Sequence, residues 1–434
     1  MVLLRRADGD RLKRVLLLAT TTGYQIRAFG EAAAKLGIRL IFASDRCDQI
    51  EDPWWDQAIP VRFHDEERSV NAVIDAGGPP PDGIVAVGDR PVVLGARLAQ
   101  RYGLPWHSPE AAAVSRHKML TRQALQRAGL PTPVFESVAI DADPRALAGR
   151  LSFPLVVKPQ ALSGSRGVMR VNDEAEFVVA FERLAALLHS PDVRKEQDSA
   201  HERALIESFI PGREYAVEGV MTNGALRVLA IFDKPDPLDG PFFEETIYLT
   251  PSSAPADDQR RIESAVERAA CAIGLSHGPI HAECRLDGKT AYVLEVAARP
   301  IGGLCSRVLR FCDPADLDGD PVSLEELLLR HALGRDVAQL LRESAASGVM
   351  MIPIPKRGVF RRVEGVPEAA CVPGVEEVRI TAKPDASLIP LPEGKSYLGF
   401  IFARGATAGI VETALREAHG RLRFVIDREV AVVT

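Results

Sequence analysis

Residues 281–296, HAECRLDGKTAYVLEV, read as two apolar arms folding back over an Asp287-Gly288 turn. Each arm carries a carboxylate inside its apolar run, Glu283 on the first and Glu295 on the second. Asp-Gly between such runs is a strong hairpin signal. Taking an unpaired carboxylate out of water costs roughly several kcal/mol, so the hairpin must fold where something neutralises two acids. The arms bring Glu283 and Glu295 to similar heights, while the face each takes depends on a register that spacing does not fix. Two solutions stay open: a divalent cation between the acids, or pairing with nearby arginines such as Arg285 or Arg299.

The chain's 434 residues hold about three domains at ~150 residues each. RVLLLA (14–19) is a continuous apolar run, as expected of a parallel strand buried on both faces. Ile26, Phe29, Ala33 and Leu36 follow at helical spacing, closed by Gly37, and IRLIFAS gives a second strand. DGIVAVGD, a helix from about Pro91 to Tyr102 and GLPWHS read as a second such unit. No G-x-G-x-x-G opens the first helix, and TTTGYQ is either a plain turn or one wall of a ligand crevice. SRHKMLTRQALQRAGL (115–130) has the pattern of one amphipathic helix. FPLVVKPQALSGSRGVMRV reads as strand, Gly-rich loop, strand, followed by a helix over 174–188 and a charged stretch, 189–203, without periodicity. ALIESFIPGREYAVEGVMTNG forms two strands around a Pro-Gly kink, LRVLAIFDKP a third, and 257–273 a helix. A helix over 323–333 precedes a proline-containing linker at about 344–357, and the last ~80 residues hold short strands, a helix over 407–419 and a final strand.

Lys158 stands at the head of the SGSRG loop, where loop N–H groups and an ammonium together suit phosphate charge, although no P-loop motif is present. Lys118 is a second such cation, and either lysine alone also fits a solvated surface. In IESFIPGREY, backbone groups at the kink suit an adenine edge and Glu214 suits ribose hydroxyls. HGPIH (His277, His281) ahead of Glu283 imitates a zinc cluster, but Gly278-Pro279 breaks the helix such spacing needs. The loop serines have no His–Asp context for a nucleophilic triad. Trp54 and Trp55 read as packing residues or as a substrate cap.

FPLVVKPQALSGSRGV, LIESFIPGREYAVEG and HAECRL…AYVLEVAARPIGG, in this order, resemble the ATP-grasp ligases over roughly residues 113–312. The segment after ~345 is similar to the C-terminal domain of the amino-acid (dipeptide) ligase branch. The resemblance implies an α/β fold of the α+β ATP-grasp type: a doubly wound parallel domain at 1–112, an ATP-grasp domain at 113–343 with a lid at about 120–205, and a smaller domain at 344–434. It implies ATP-dependent joining of a carboxylate to an amine through an acyl phosphate, releasing ADP and phosphate, with amino acids or a small carboxylic acid as substrates. By the same resemblance Lys118 and Lys158 bind phosphates under the loop Ser163, Gly164, Ser165 and Gly167. Glu207, Phe209 and Ile210 form the adenine hinge, and Glu214 takes the ribose. Glu283 and Glu295 hold one or two Mg²⁺ ions, or Mn²⁺. Arg299 contacts the transferred phosphoryl group, with Lys158 as its partner in catalysis. Gly302 and Gly303 turn beside the carboxylate substrate, and Glu245 stands near the amine. Ala297 takes the place of an asparagine common in the family, which leaves the number of ions open. A carboxylase of biotin or purine type is the rival within the superfamily, and a catalytically silent nucleotide-binding subunit the rival outside it.

The formal net charge of -6 lacks the basic excess of a nucleic-acid binder. No run of 18 apolar residues suggests a membrane span, and Val15–Ala19 is too short for a signal-peptide core. Six cysteines without a C-x-x-C pair fit reduced thiols in a cytoplasm. Oligomeric state is not legible, and a homodimer is compatible with everything above.

Overall fold

The computed structural model describes residues 12–21, 23, 25–46, 58–315, 319–394 and 396–428. Trp54 and Trp55 lie outside the described residues. The first strand, Arg14–Ala19, is the centre of a parallel sheet with Arg39–Ser44 on one side and Gly83–Val87 on the other. Both faces of this strand are covered, with Val15, Leu16, Leu17 and Leu18 at most 1% exposed. That is why its sequence runs apolar without alternation. Helices Ile26–Leu36 and Val92–Tyr102 end on left-handed Gly37 and Gly103. A short strand, Ile59–Pro60, extends the sheet, and helix Glu66–Asp75 packs beside it. GLPWHS is not a strand: the chain crosses there as an irregular segment towards the next helix.

Expected as one helix, 115–130 is two. Pro109–Arg116 and Lys118–Arg127 meet at His117, whose extended backbone ends the first helix and whose ring caps the second through the Leu120 N–H. The break turns Lys118 out of the first helix and towards the Gly-rich loop, where its own N–H donates to the Gln160 carbonyl.

A four-stranded antiparallel sheet follows, in the order Phe135–Ala139, Arg203–Ser208, Leu155–Pro159, Met169–Val171. Helix Glu174–Leu188 covers it with Phe177, Phe181 and Leu184. The stretch 189–203, expected as a loop without order, contains a helical turn at Pro191–Arg194 and a 3₁₀ turn at Ser199–Glu202. Its charges are partnered, Asp192 to Arg166 and Asp198 to Arg116, so absence of periodicity did not mean absence of structure.

The largest sheet has eight strands, in the order Thr290–Ala297, Gly278–Asp287, Arg213–Thr222, Ala225–Asp233, Ile247–Thr250, Ala346–Ile352, Gly399–Gly405, Val375–Ile380. Ala346–Ile352 falls inside the expected linker and is buried along its whole length, so one sheet runs through that position. Pro353 and Pro355 follow the strand's last residue and stop it there. The Pro-Gly kink works through Gly212 (φ 98°), where a Cβ would lie on the Leu286 carbonyl. Among the described residues no helix is long and apolar enough to cross a membrane.

Candidate functional site

The small sheet and the large sheet face each other across a cavity of about 640 Å³, closed at one end by the parallel N-terminal sheet. Every candidate side chain or turn named above lines it except Gly167, which sits at its loop's far end.

The hairpin supplies two acids to one wall. Glu283 and Glu295 are directly opposed in the ladder, while Cys284 pairs with Val293, so Leu294 is an extra residue on the second arm. This bulge breaks the alternation. Val293 turns into the core with Cys284, and Glu295 turns into the cavity with Glu283. The two-residue turn is Gly288-Lys289, one position later than expected.

Neither arginine weighed as a partner neutralises the pair. Arg285 bonds Glu214 (2.9 Å) and the Ile210 carbonyl (2.8 Å), and Arg299 grips Asp89. The partners are lysines. Lys118 Nζ lies 3.1 Å from Glu295 and donates to the Leu162 carbonyl at 2.7 Å. Lys234 Nζ lies 3.0 Å from Glu283, 2.8 Å from Glu214 and 2.5 Å from Glu245. Burial alone would lower the Lys234 ammonium, but these three carboxylates hold it well above its usual range. Burial, together with the charge of Glu283, pushes Glu245 up to about 8 although Lys234 opposes it, and Tyr248 donates to it at 2.7 Å. Glu283, which burial would raise, is held far below the carboxylate range by Lys234.

Glu214, Glu245 and Glu283 each bring an oxygen within 4.8 Å of the others. Glu245 and Glu283 stand close enough to drive each other's affinity for a proton apart, raising Glu245 and lowering Glu283. Hard carboxylate oxygens converging on one point suit a divalent cation such as Mg²⁺. The donor set therefore fits the metal.

On the opposite wall Lys158, next to last in strand Leu155–Pro159, pairs with Glu207 at 2.5 Å. Glu207 is also held by Arg122 at 2.6 and 3.3 Å, and Arg122 is fully buried. Burial pulls the Lys158 ammonium down to about 8 although Glu207 pulls the other way. Burial would raise Glu207, but Arg122 and then Lys158 hold it at about 2. Beyond it the Phe209 N–H donates to the Pro154 carbonyl (3.1 Å), and the Phe209 ring lies under Arg170 at 4.0 Å. In the Gly-rich loop Ser163 and Gly164 are exposed and Ser165 half-buried. Gly164 (φ 63°), Ser165 (φ 54°) and Gly167 (φ 74°) take left-handed backbone, and a Cβ on Gly167 would press on Leu184, Leu187 and Pro159. Only glycine fits that last position.

The end wall joins domains. Arg299 follows the second arm and makes a bidentate bond to Asp89, at the end of the N-terminal strand Gly83–Val87. Two residues on, the Ile301 N–H donates to both oxygens of Glu218 (3.2 and 3.1 Å), while its carbonyl accepts from Gln25. Gly302 and Gly303 follow and line the cavity with Thr20 and Thr21, so the start of TTTGYQ forms part of a crevice wall. The histidines do not form a metal cluster. His281 bonds Glu218 through Nδ1 (3.1 Å), and His277 stacks on His331 at 4.4 Å.

Residues 151–308 match the ATP-grasp domain, and residues 350–427 match L-amino acid ligase C-terminal domain 2. The chain carries an ATP-grasp domain. Its structure superposes on that of an L-amino acid ligase from Bacillus licheniformis with a TM-score of 0.80 and 28% identity, covering 97% of this chain and 100% of that one. Carnosine synthase 1 of Gallus gallus is 30% identical over 70% of the chain, and alanine–anticapsin ligase of Bacillus subtilis 29% identical over 55%. The chain spans 34% and 52% of those two proteins' lengths.

Four residues of this ATP-grasp cavity escaped the sequence reading: Lys234, Asp89, Arg122 and Glu218. Lys234 carried a signal. It stands between an apolar strand run and a proline, as Lys158 does, giving FDKP beside VVKP. The other three act across domain or sheet boundaries, and nothing local marks them.

Proposed function

We propose that the protein is an ATP-dependent carboxylate–amine ligase that joins an amino acid or small carboxylic acid to an amino acid, through an acyl phosphate, with release of ADP and phosphate. The observation that carries the reading is one cavity lined by Lys118, Lys158 and Arg299 together with Glu283, Glu295 and Glu245, with Lys234 buried behind the acids. Each of these cations is held in place on a carboxylate, and cations fixed in this way around one cavity suit a triphosphate.

In this reading Lys118 and Lys158 hold phosphate oxygens beneath the Ser163–Gly167 loop. The hinge Glu207–Ile210 orients the base, with Glu207 fixing Lys158, and Glu214 faces the ribose. Glu283 and Glu295 hold one or two Mg²⁺ ions, or Mn²⁺, with Glu245 as a further oxygen donor. A bound ion supplies positive charge against the phosphate oxygens as the phosphoryl group transfers. Arg299, locked by Asp89, meets the transferred group and the acyl phosphate. Gly302 and Gly303 leave room for the substrate carboxylate. The Glu245 side chain stands ready for the substrate's amine. The lid, about 120–205, keeps water from the acyl phosphate. The natural setting is the cytoplasm, the partners are small molecules, and a homodimer is compatible with this reading.

The test is a hydroxylamine trap. Protein, ATP, Mg²⁺ and a panel of amino acids are incubated, and the acid that yields a hydroxamate is the activated substrate. Release of ADP that depends on bicarbonate rather than an amine would replace the ligase with a carboxylase. Nucleotide binding without ADP for any acid would make the chain a silent subunit.

A further inference from the structure

The Gly-rich loop is not free at its far end. The Gly167 N–H, one of the donors such a loop offers to phosphate, is spent on the Pro392 carbonyl at 2.8 Å. Its neighbour Arg166 donates from Nε to the Glu393 carbonyl at 2.9 Å and from Nη2 to Asp192 at 2.7 Å. Arg183, on the helix that covers the small sheet, forks onto the Glu393 carboxylate at 2.9 and 3.1 Å. So two elements of the lid, 163–167 and Glu174–Leu188, are tied to one turn more than 200 residues away.

That turn is built to be stiff. The Gly394 N–H closes on the Pro390 carbonyl at 2.8 Å, and a Cβ on Gly394 would sit on the Ile389 carbonyl. Tyr397, three residues further, leans on Phe400 of the large sheet and forms part of the cavity wall near Glu245 and Cys305. The same strand, Gly399–Gly405, continues into the core. One short piece of the C-terminal segment therefore runs from the substrate end of the cavity to the hinge of the phosphate loop.

We propose that Glu393 is a positioning residue: with Pro392 it acts as a strap that holds the phosphate loop over the nucleotide site before nucleotide arrives. The Arg183–Glu393 pair is half-exposed, at 41% and 29%. An ion pair of that kind adds little to global stability, but it favours the arrangement in which the loop lies over the site. Pre-closure raises the fraction of molecules competent to bind, and apparent nucleotide affinity follows that fraction. The inference takes from the ligase reading only that the cavity binds ATP.

The experiment uses the full chain and a non-hydrolysable ATP analogue with Mg²⁺. Arg183→Glu and Glu393→Arg are each expected to weaken analogue binding by about two- to fivefold, the size of a half-exposed ion pair. Both should raise KM for ATP at unchanged kcat, leave Tm unchanged and speed amide exchange over 163–170. The double swap should restore all three readouts. Wild-type affinity and exchange in the single variants, or no recovery in the double, would overturn the strap. If the wild-type chain bound no nucleotide, the ligase reading would fall, and amide exchange at Gly167 in the free protein would still decide the strap.

Discussion

Arg299 and Asp89 meet as a bidentate pair, at 2.9 and 3.2 Å, across the seam between the large sheet and the N-terminal sheet. Burial would raise Asp89, but the Arg299 guanidinium holds it down, and Asp89 in turn keeps Arg299 charged. The side chain proposed to meet the transferred phosphoryl group is thus aimed by a domain that contributes no lysine to the site.

Asp89→Ala should therefore cost activity through geometry. A misplacement of about 1 Å at a reacting centre costs roughly 10²-fold. We expect ADP release to fall by about that factor, mainly in kcat, with nucleotide binding kept. Full activity in the variant would separate Arg299 from the chemistry.

Lys234 is the sole cation within bonding distance of three carboxylates at once among the described residues. Lys234→Ala leaves Glu214, Glu245 and Glu283 buried with less compensation. Breaking a buried charge set costs about 3–5 kcal/mol, so the variant should melt well below wild type in the presence of chelator. Millimolar Mg²⁺ should recover more stability in the variant than it adds to wild type, because the ion takes over the missing positive charge. Equal metal responses in thermal melts would mean that Glu245 and Glu283 do not bind the ion.

Much of this was legible beforehand, and the failures have physical causes. Continuous apolar runs found the buried strands, and the Asp-Gly turn located the hairpin to within one residue. The opposition of Glu283 and Glu295 needed a bulge at Leu294, and nothing in Val293-Leu294-Glu295 marks a bulge. The break at His117 was hidden because the helical pattern continues on both sides of it. Two prolines made 344–357 look like a linker, yet they only bound a strand whose apolar run sits in the middle of an eight-stranded sheet. Asp89, Gln25 and Glu218 reach the site through tertiary contacts between segments up to 276 residues apart, which no local pattern encodes.

Lys158 gives the site a pH dependence. Its ammonium, pulled down to about 8, is complete below that pH and lost as pH rises through it. Phosphate binding needs the charged form, so affinity for the ATP analogue should fall between pH 7.5 and 9. Binding at pH 8.5 should also take up a proton, which calorimetry in buffers of different ionisation enthalpy detects. Lys158→Arg, always charged, should flatten the profile even if its affinity is lower. A flat wild-type profile would remove Lys158 from the phosphate contacts.

Two buried histidines, His107 and His331, set a second pH limit, on stability. Burial holds both His107 and His331 down at about 4 against an ordinary 6.5. His107 is enclosed under the first turn of strand Gly278–Asp287 and bonds the Pro279 carbonyl, while His331 bonds Thr222. Between pH 6.5 and 4 the unfolded chain takes up protons that the folded chain refuses, so stability is present at neutral pH and lost as pH falls. From the one-unit drop between 6.5 and 5.5 each ring should cost about 1 kcal/mol. Chemical denaturation at pH 7.5, 6.5 and 5.5 measures this directly. His331→Gln should be less stable than wild type at pH 7.5 and show a shallower loss on acidification. An unchanged slope would mean that His331 is already protonated in the folded chain, or exposed enough for water to carry its charge.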